Sequence, residues 1–194
     1  GSISVSSVAV ELAESIFDSL KSQQVLVIGA GEMSEKAARA LKRRGASSVL
    51  VSNRSHDKAV ALAEELEGRA IRFDTWEEEF KAIDIIISST SAPHYVLTRD
   101  KLQALLRERG HRPLLLVDIA VPRDIDPDCN QMENVYVYNI DDLQTIAGQY
   151  LEQRKAELAH CEKLIAEKRD ELLDGLKSHP NRSQLGIRQQ QAGA

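Results

Sequence analysis

Two short stretches of the chain bring together residue types that do chemistry as a set. In "VLVIGAGEMSEKAARAL" (Val25–Leu41) an apolar run ends on Gly29-Ala30-Gly31, and a helix-forming run begins. The first glycine permits a tight turn. The second lets the backbone approach a bound group closely, and negative charge on that group then faces the open N–H groups of a helix N-terminus. The third position of this pattern is Ser34, where a small residue serves helix–strand packing. A glycine pattern like this is informative only between a strand and a helix, which is its context here. The expected chemistry is recognition of a dinucleotide pyrophosphate along Gly29, Ala30, Gly31, Glu32, Met33 and Ser34.

The second stretch is "SSVLVSNRSHDK" (Ser47–Lys58), whose apolar run ends on Asn53-Arg54. A domain that reads NAD places an acid near this point, to accept hydrogen bonds from two ribose hydroxyls. A carboxylate would repel a 2′-phosphate, whereas a guanidinium grips it through a planar fork and stacks on the adenine. Ser52, Asn53 and Arg54 are therefore expected at the adenosine end of NADPH, with Ser52 and Ser55 adding hydroxyl donors and Lys58 a charge.

The elements that must position these residues alternate along the chain. "SSVAVELAESIFDSL" carries Val8, Leu12, Ile16 and Leu20 at helical spacing, with Ser6 or Ser7 as its cap. "QQVLVIG" and "SSVLVS" are continuous apolar runs of the kind buried on both faces of a parallel sheet. Between and after them lie helices over "EKAARALKRRG", closed by Gly45, and "SHDKAVALAEELEG", capped by Ser55 and ended by Gly68. "AIRF" (strand), "TWEEEFKAI" (helix), "DIIISST" (strand), "TRDKLQALLRERG" (helix), "PLLLVDIA" (strand) and "NVYVYN" (strand) continue the series. This alternation predicts an α/β fold, a doubly wound, Rossmann-like, mostly parallel sheet with helices on both faces.

In such a sheet, ligands bind outside the carboxyl ends of the strands. Ser89, Thr90 and Ser91, with Ala92, follow the fourth strand and are small enough to approach a ribose. Asp118 ends the fifth strand, where holding a loop or capping backbone donors suits it better than proton transfer. Arg123, Asp124 and Asp126 read as surface ion pairs, Glu77-Glu78-Glu79 as an exposed helix face and His94 as a solvated loop histidine.

From Asp141 the period changes. Leu143, Ile146, Tyr150, Leu158, Cys161, Ile165, Leu172 and Leu176 trace a broken apolar stripe on a helix about 50 Å long. That length predicts a partner helix elsewhere. The expected organisation is a nucleotide-binding domain over residues 3–140, a long helix over 141–177, and a polar, disordered tail over 178–194.

Bulk properties set limits. The chain has 194 residues and a formal net charge of −5, a balance with no general attraction to nucleic acid or anionic membrane. No apolar run approaches the roughly 20 residues that span a bilayer. Cys129 and Cys161 have no metal-ligand spacing, nor do the five histidines, so no metal site is expected, and a cytoplasmic setting is. Gly1-Ser2, without an initiator Met, reads as a cloning remnant on a piece of a longer protein.

Together "SVSSVAVELA", the glycine stretch, "VSNRS", "DIIISSTSAP", "PLLLVDIAVPRDIDP" and "VYVYNIDDLQ" resemble the glutamyl-tRNA reductase family, from Ile3 to about Leu176. The most distinctive strings are "VDIAVPRDIDP" and "IDDLQ". The resemblance implies the NADPH domain and spinal helix of an enzyme that reduces glutamyl-tRNA to glutamate-1-semialdehyde, at the start of tetrapyrrole and heme biosynthesis. It implies a cysteine nucleophile in a separate N-terminal domain, a homodimer built beyond the helix, and a downstream aminomutase or a regulator as partner. A plant or algal source would imply the plastid stroma. By the same analogy Ala120 and Val121 lie near the nicotinamide. Neither cysteine matches the nucleophile: Cys129 lies in a turn, and Cys161 on the apolar stripe reads as a small buried thiol. No residue of this chain is expected to be catalytic, and the chain alone is expected to bind cofactor without turnover. Two alternatives remain open: another NADP-dependent oxidoreductase of shikimate-dehydrogenase type, and a non-catalytic interaction module with a vestigial site.

Overall fold

The computed structural model describes residues 3–178. The expected tail after His179 lies outside the described residues. The chain divides into two compact units, residues 1–149 and 150–194.

The first unit is built on six parallel strands: β1 (Gln24–Ile28), β2 (Ser48–Asn53), β3 (Arg69–Arg72), β4 (Ile85–Ser88), β5 (Leu114–Asp118) and β6 (Val135–Asn139). Their order across the sheet is β3-β2-β1-β4-β5-β6. β4 and β5 are buried at every position and β1 at all but its first, because helices cover both faces of the sheet. The helices are α1 (Val5–Phe17), α2 (Glu32–Arg43), α3 (His56–Glu65), α4 (Arg99–Leu106) and α5 (Ile140–Lys177). The core between β4, β5 and one helical layer is filled by Trp76, Phe80, Leu102 and Leu116, all fully or almost fully buried. The strand order reverses between β1 and β4, and open α/β sheets bind ligands at the carboxyl edge of such a reversal.

Local chemistry departs from the sequence expectation in several places. Ser4, not Ser6 or Ser7, caps α1 by accepting from Ser7 N–H at 3.1 Å. Ser55 caps α3 as expected. Past α3 it is Glu67 that takes the left-handed backbone, with φ +54°. Gly68 is needed for a different reason: a Cβ there would lie 2.2 Å from the Val49 carbonyl oxygen. The expected helix over "TWEEEFKAI" is a 3-10 stretch, Phe73–Ala82, kinked at Thr75. Its acids are not a bare solvated face, for Glu77 pairs with Lys101 and Glu79 with Arg69.

At the amino edge of the sheet, Asp84 and Arg109 form a buried pair at 3.1 Å. Asp84 also accepts from Gln24 N–H at 3.0 Å and forms an ion pair with Arg112 at 3.3 Å. Arg109 donates to the carbonyls of Ile83 (2.9 Å), Pro113 (2.7 Å) and Arg112. These bonds tie the starts of β1, β4 and β5 together. Burial, with Arg112 alongside, pushes the Arg109 pKa down to about 10 against the pull of Asp84.

α5 opens on a reciprocal cap: Asn139 Oδ1 accepts from Asp142 N–H and Asp142 Oδ2 from Asn139 N–H, each at 2.9 Å. In the second unit Leu158, Leu164, Ile165, Leu172, Leu173 and Leu176 are exposed. Cys161 is exposed as well, contrary to the expectation of a buried thiol, because none of the described residues covers this stripe. No helix among the described residues is long and apolar enough to cross a membrane.

Candidate functional site

The glycine turn is held from two sides. Gly29 N–H donates to the Ser52 carbonyl at 2.7 Å, tying the turn to the end of β2. On the other side lies Ser89, just past β4. With φ +99° at Gly29, a Cβ there would stand 2.8 Å from the Ser89 carbonyl oxygen, and one on Gly31 would stand 2.9 Å from Ser89 Oγ. Gly29 is therefore required both by close approach to backbone and by its own conformation, whereas a side chain on Gly31 would need the Ser89 hydroxyl to turn aside. Gly31 caps α2 without a side chain, so the first turn of the helix presents its amides outward beside exposed Ala30, Glu32 and Met33. Glu32 is an acid at that end; it is solvated and pairs with Lys36 at 3.1 Å.

The expected residues separate into those that reach solvent and those that support. Ser34 and Ser52 are fully buried, and neither hydroxyl has a hydrogen-bond partner. Ser52 thus contributes its carbonyl to the turn, and its hydroxyl is not offered at the surface as the sequence suggested. Ser89 Oγ is likewise buried and unpartnered, enclosed beneath the glycines. Ala120 is buried and Val121 is 80% exposed. His94 is exposed.

Beyond β2 the structure adds residues that the sequence did not single out: His56, Arg72, Phe73 and Asp74 line one pocket with the expected Asn53 and Arg54. The Arg54 guanidinium stacks over the Phe73 ring, 5.7 Å from its centroid. Arg72 ends β3, which pairs with β2 in the register Asn53↔Arg72, so two cations meet at one corner. His56 Nδ1 is buried without a partner. A sequence signal existed for Arg72: a cation at the end of the strand expected next to β2.

Past β5, Asp118 does hold a loop. Its carboxylate accepts from the N–H groups of Ala120 (3.1 Å), Asp124 (3.0 Å) and Ile125 (2.9 Å). Burial nevertheless raises its pKa, against those three donors. Asp124 is not a surface partner of Arg123, as the sequence suggested. It is fully buried and accepts from Ser88 Oγ at 2.6 Å, from Thr90 N–H at 2.8 Å and from Thr90 Oγ1. Arg123 pairs instead with Asp141. Asp126 caps the short 3-10 stretch Pro127–Gln131 by accepting from Asp128 N–H at 3.0 Å. Cys129 lies buried in that stretch, where burial and the nearby Asp126 and Asp128 raise its thiol pKa to about 11. A thiol held neutral in this way is no nucleophile.

A glycine turn at a strand-order reversal, with hydroxylated loops beside it, defines a domain of the nicotinamide-dinucleotide-binding oxidoreductase class. Residues 11–146 match the family described as shikimate / quinate 5-dehydrogenase, and the chain belongs to that family. The match ends just past β6 and so describes the sheet domain. At higher resemblance, the chain is 43% identical over 175 residues to the glutamyl-tRNA reductase of Solibacter usitatus, covering 90% of this chain. It superposes on the glutamyl-tRNA reductase of Methanopyrus kandleri with a TM-score of 0.77 and 42% identity over 94% of this chain. It spans less than half of either relative, 42% and 46% respectively. The nucleotide-binding domain of the Thermoplasma volcanium glutamyl-tRNA reductase shares the fold, with a TM-score of 0.61 at 20% identity and 99% of that chain covered.

Proposed function

We propose that this chain is the NADPH-binding part of a glutamyl-tRNA reductase. Residues 3–140 form the nucleotide-binding domain, and the helix over 141–177 leads toward a dimerisation region. The carrying observation is the pocket at the end of β2, where Arg54 stacks on Phe73 beside Arg72 and the unpartnered His56 Nδ1. Such a corner suits a 2′-phosphate and an adenine: the neutral Asn53 stands where an NAD site has its ribose-reading acid, and the two arginines outnumber the acid Asp74 that also lines the pocket. The glycine turn suits a pyrophosphate, since Gly31 leaves the first-turn amides of α2 without a side-chain cap.

When bound, NADPH supplies a hydride. The chain's own residues bind and orient. The α2 amides and Gly29–Ser34 hold the pyrophosphate. Asn53 and Arg54, with Arg72 and Phe73, hold the adenosine end, and Ser52 holds the turn. Ser89, Thr90 and Ser91 line the ribose side, and Ala120 and Val121 the nicotinamide side. The covalent chemistry on glutamyl-tRNA belongs to a cysteine outside this chain. The whole enzyme acts in tetrapyrrole synthesis as a cytoplasmic homodimer.

Calorimetric titration with NADPH and NADH in parallel tests the reading. NADPH is expected to bind at least tenfold more tightly. Equal affinities would remove the role of Arg54 and Arg72. Binding of neither would favour an interaction module with a vestigial site.

A further inference from the structure

The two carboxylates past β5 form a chain of contacts that ends on the glycine turn. Asp118 fixes the backbone of Asp124 and Ile125 through their N–H groups. Asp124 reaches across to β4 and takes the Ser88 hydroxyl, the Thr90 N–H and the Thr90 hydroxyl on its two oxygens. Thr90 Oγ1 in turn accepts from Ala92 N–H at 3.2 Å and folds the loop over. Ser89 is caught between Ser88 and Thr90, both held by Asp124. It is the residue on which Gly29 and Gly31 rest: a Cβ on Gly29 would meet its carbonyl oxygen at 2.8 Å, and one on Gly31 its hydroxyl at 2.9 Å. Asp124 lies 36 residues from Ser88 in sequence and is fully buried, so it makes no surface pairing that would explain it otherwise.

We infer that Asp124 is a positioning residue for the cofactor: it sets the Ser89–Ala92 loop against the glycine turn and so shapes the ribose and nicotinamide half of the site, without touching the adenosine half. The inference rests on the dinucleotide lying along the carboxyl edge, as proposed above. An ordinary structural acid would loosen the whole domain when replaced. A positioning acid loosens one end of the site. Arg54, Arg72 and Phe73 lie on the β2–β3 side of the sheet, away from β4 and β5 in the strand order, and take no part in the hydrogen bonds of this network.

The test compares NADPH with adenosine 2′-monophosphate, which lacks the 5′-phosphate that the glycine turn would hold and so probes only the Arg54 corner. Asp124→Asn keeps size but turns one acceptor into a donor facing Thr90. It is expected to weaken NADPH binding at least tenfold while the monophosphate changes less than twofold. Ser88→Ala, which removes a buried hydroxyl donor to Asp124 from a residue outside the proposed cofactor set, should act in the same direction. Equal losses for both ligands, or no loss of NADPH affinity, would overturn the inference. Should Asp124→Asn lose its cooperative thermal transition, Ser88→Ala decides by the same two criteria. Failure of the parent chain to bind either ligand would instead sink the cofactor reading, and this inference with it.

Discussion

The two edges of the sheet treat buried polar groups in opposite ways. At the amino edge, Asp84 and Arg109 are saturated: the carboxylate meets a backbone amide and two guanidinium groups, and the arginine meets three carbonyls besides. At the carboxyl edge, Ser34 Oγ, Ser52 Oγ, Ser89 Oγ, His56 Nδ1 and Arg123 Nη1 are buried without hydrogen-bond partners; elsewhere Glu14 Oε1 on α1 shares this but has an ion pair with Arg44 at 3.2 Å. Unsatisfied buried groups each cost stability, and a domain keeps them where something other than stability is at stake. One edge is a clamp that joins three strands. The other holds glycines, small hydroxyls and a cationic corner in reserve. Within the carboxyl edge, Asp118 and Asp124 are the exception, and they serve to fix what lies beside them.

The largest effect should come from breaking the clamp. Arg109→Ala leaves Asp84 buried with less compensation and strips three carbonyls of their donor. A loss of about 3–5 kcal/mol in urea unfolding is expected, with NADPH affinity unchanged in the molecules that remain folded. A loss under about 1 kcal/mol would mean that the amino edge is not a clamp. Gly29→Ala, at the opposite edge, combines a strained φ with a collision against Ser89. It should cost roughly 1–3 kcal/mol of stability and, unlike Arg109→Ala, also weaken NADPH binding. If the cofactor bound normally, the turn would be structural only.

Arg54→Glu sharpens the contrast further, since the site is exposed and the fold does not need it. Stability should stay within about 0.5 kcal/mol, while NADPH affinity falls about tenfold, some 1.4 kcal/mol, and the preference over NADH disappears. A retained preference would show that Arg54 does not face the 2′-phosphate. The smallest effect is a difference in rate between two thiols. Cys161 is exposed, and Cys129 is buried with its pKa raised to about 11. At pH 8 one equivalent of a thiol reagent should react with the folded chain, and the second only in denaturant. Rapid reaction of both would show that the 3-10 stretch opens.

Local pattern was enough for much of this. The apolar runs of β1, β2, β4 and β5 announce strands buried on both faces, and the helices between them follow from spacing and caps such as Ser55. The glycine turn was legible because its strand and helix neighbours are adjacent in sequence. Asn53-Arg54 was legible as a departure from an acid. Cys161 was misread, since an apolar stripe predicts burial only where a partner surface exists, and the stripe cannot say whether one does.

The sequence by itself determined the element order, the fold class, the position of the turn and the cation after β2, because each depends on residues within a few positions of one another. Only the tertiary structure decided that Arg72 and Phe73 join Arg54, that Ser52 lends a carbonyl and not a hydroxyl, that Arg109 clamps Asp84, and that Asp124 holds Thr90. The physical reason is the same in all four. A charged or hydroxylated side chain has many partners of equal chemical merit along a chain, and strand register and burial select among them. The pairing Asn53↔Arg72 exists because β2 and β3 lie side by side in that register. Asp124 is an exposed acid by composition and a buried one only because the loop after β5 folds back over β4.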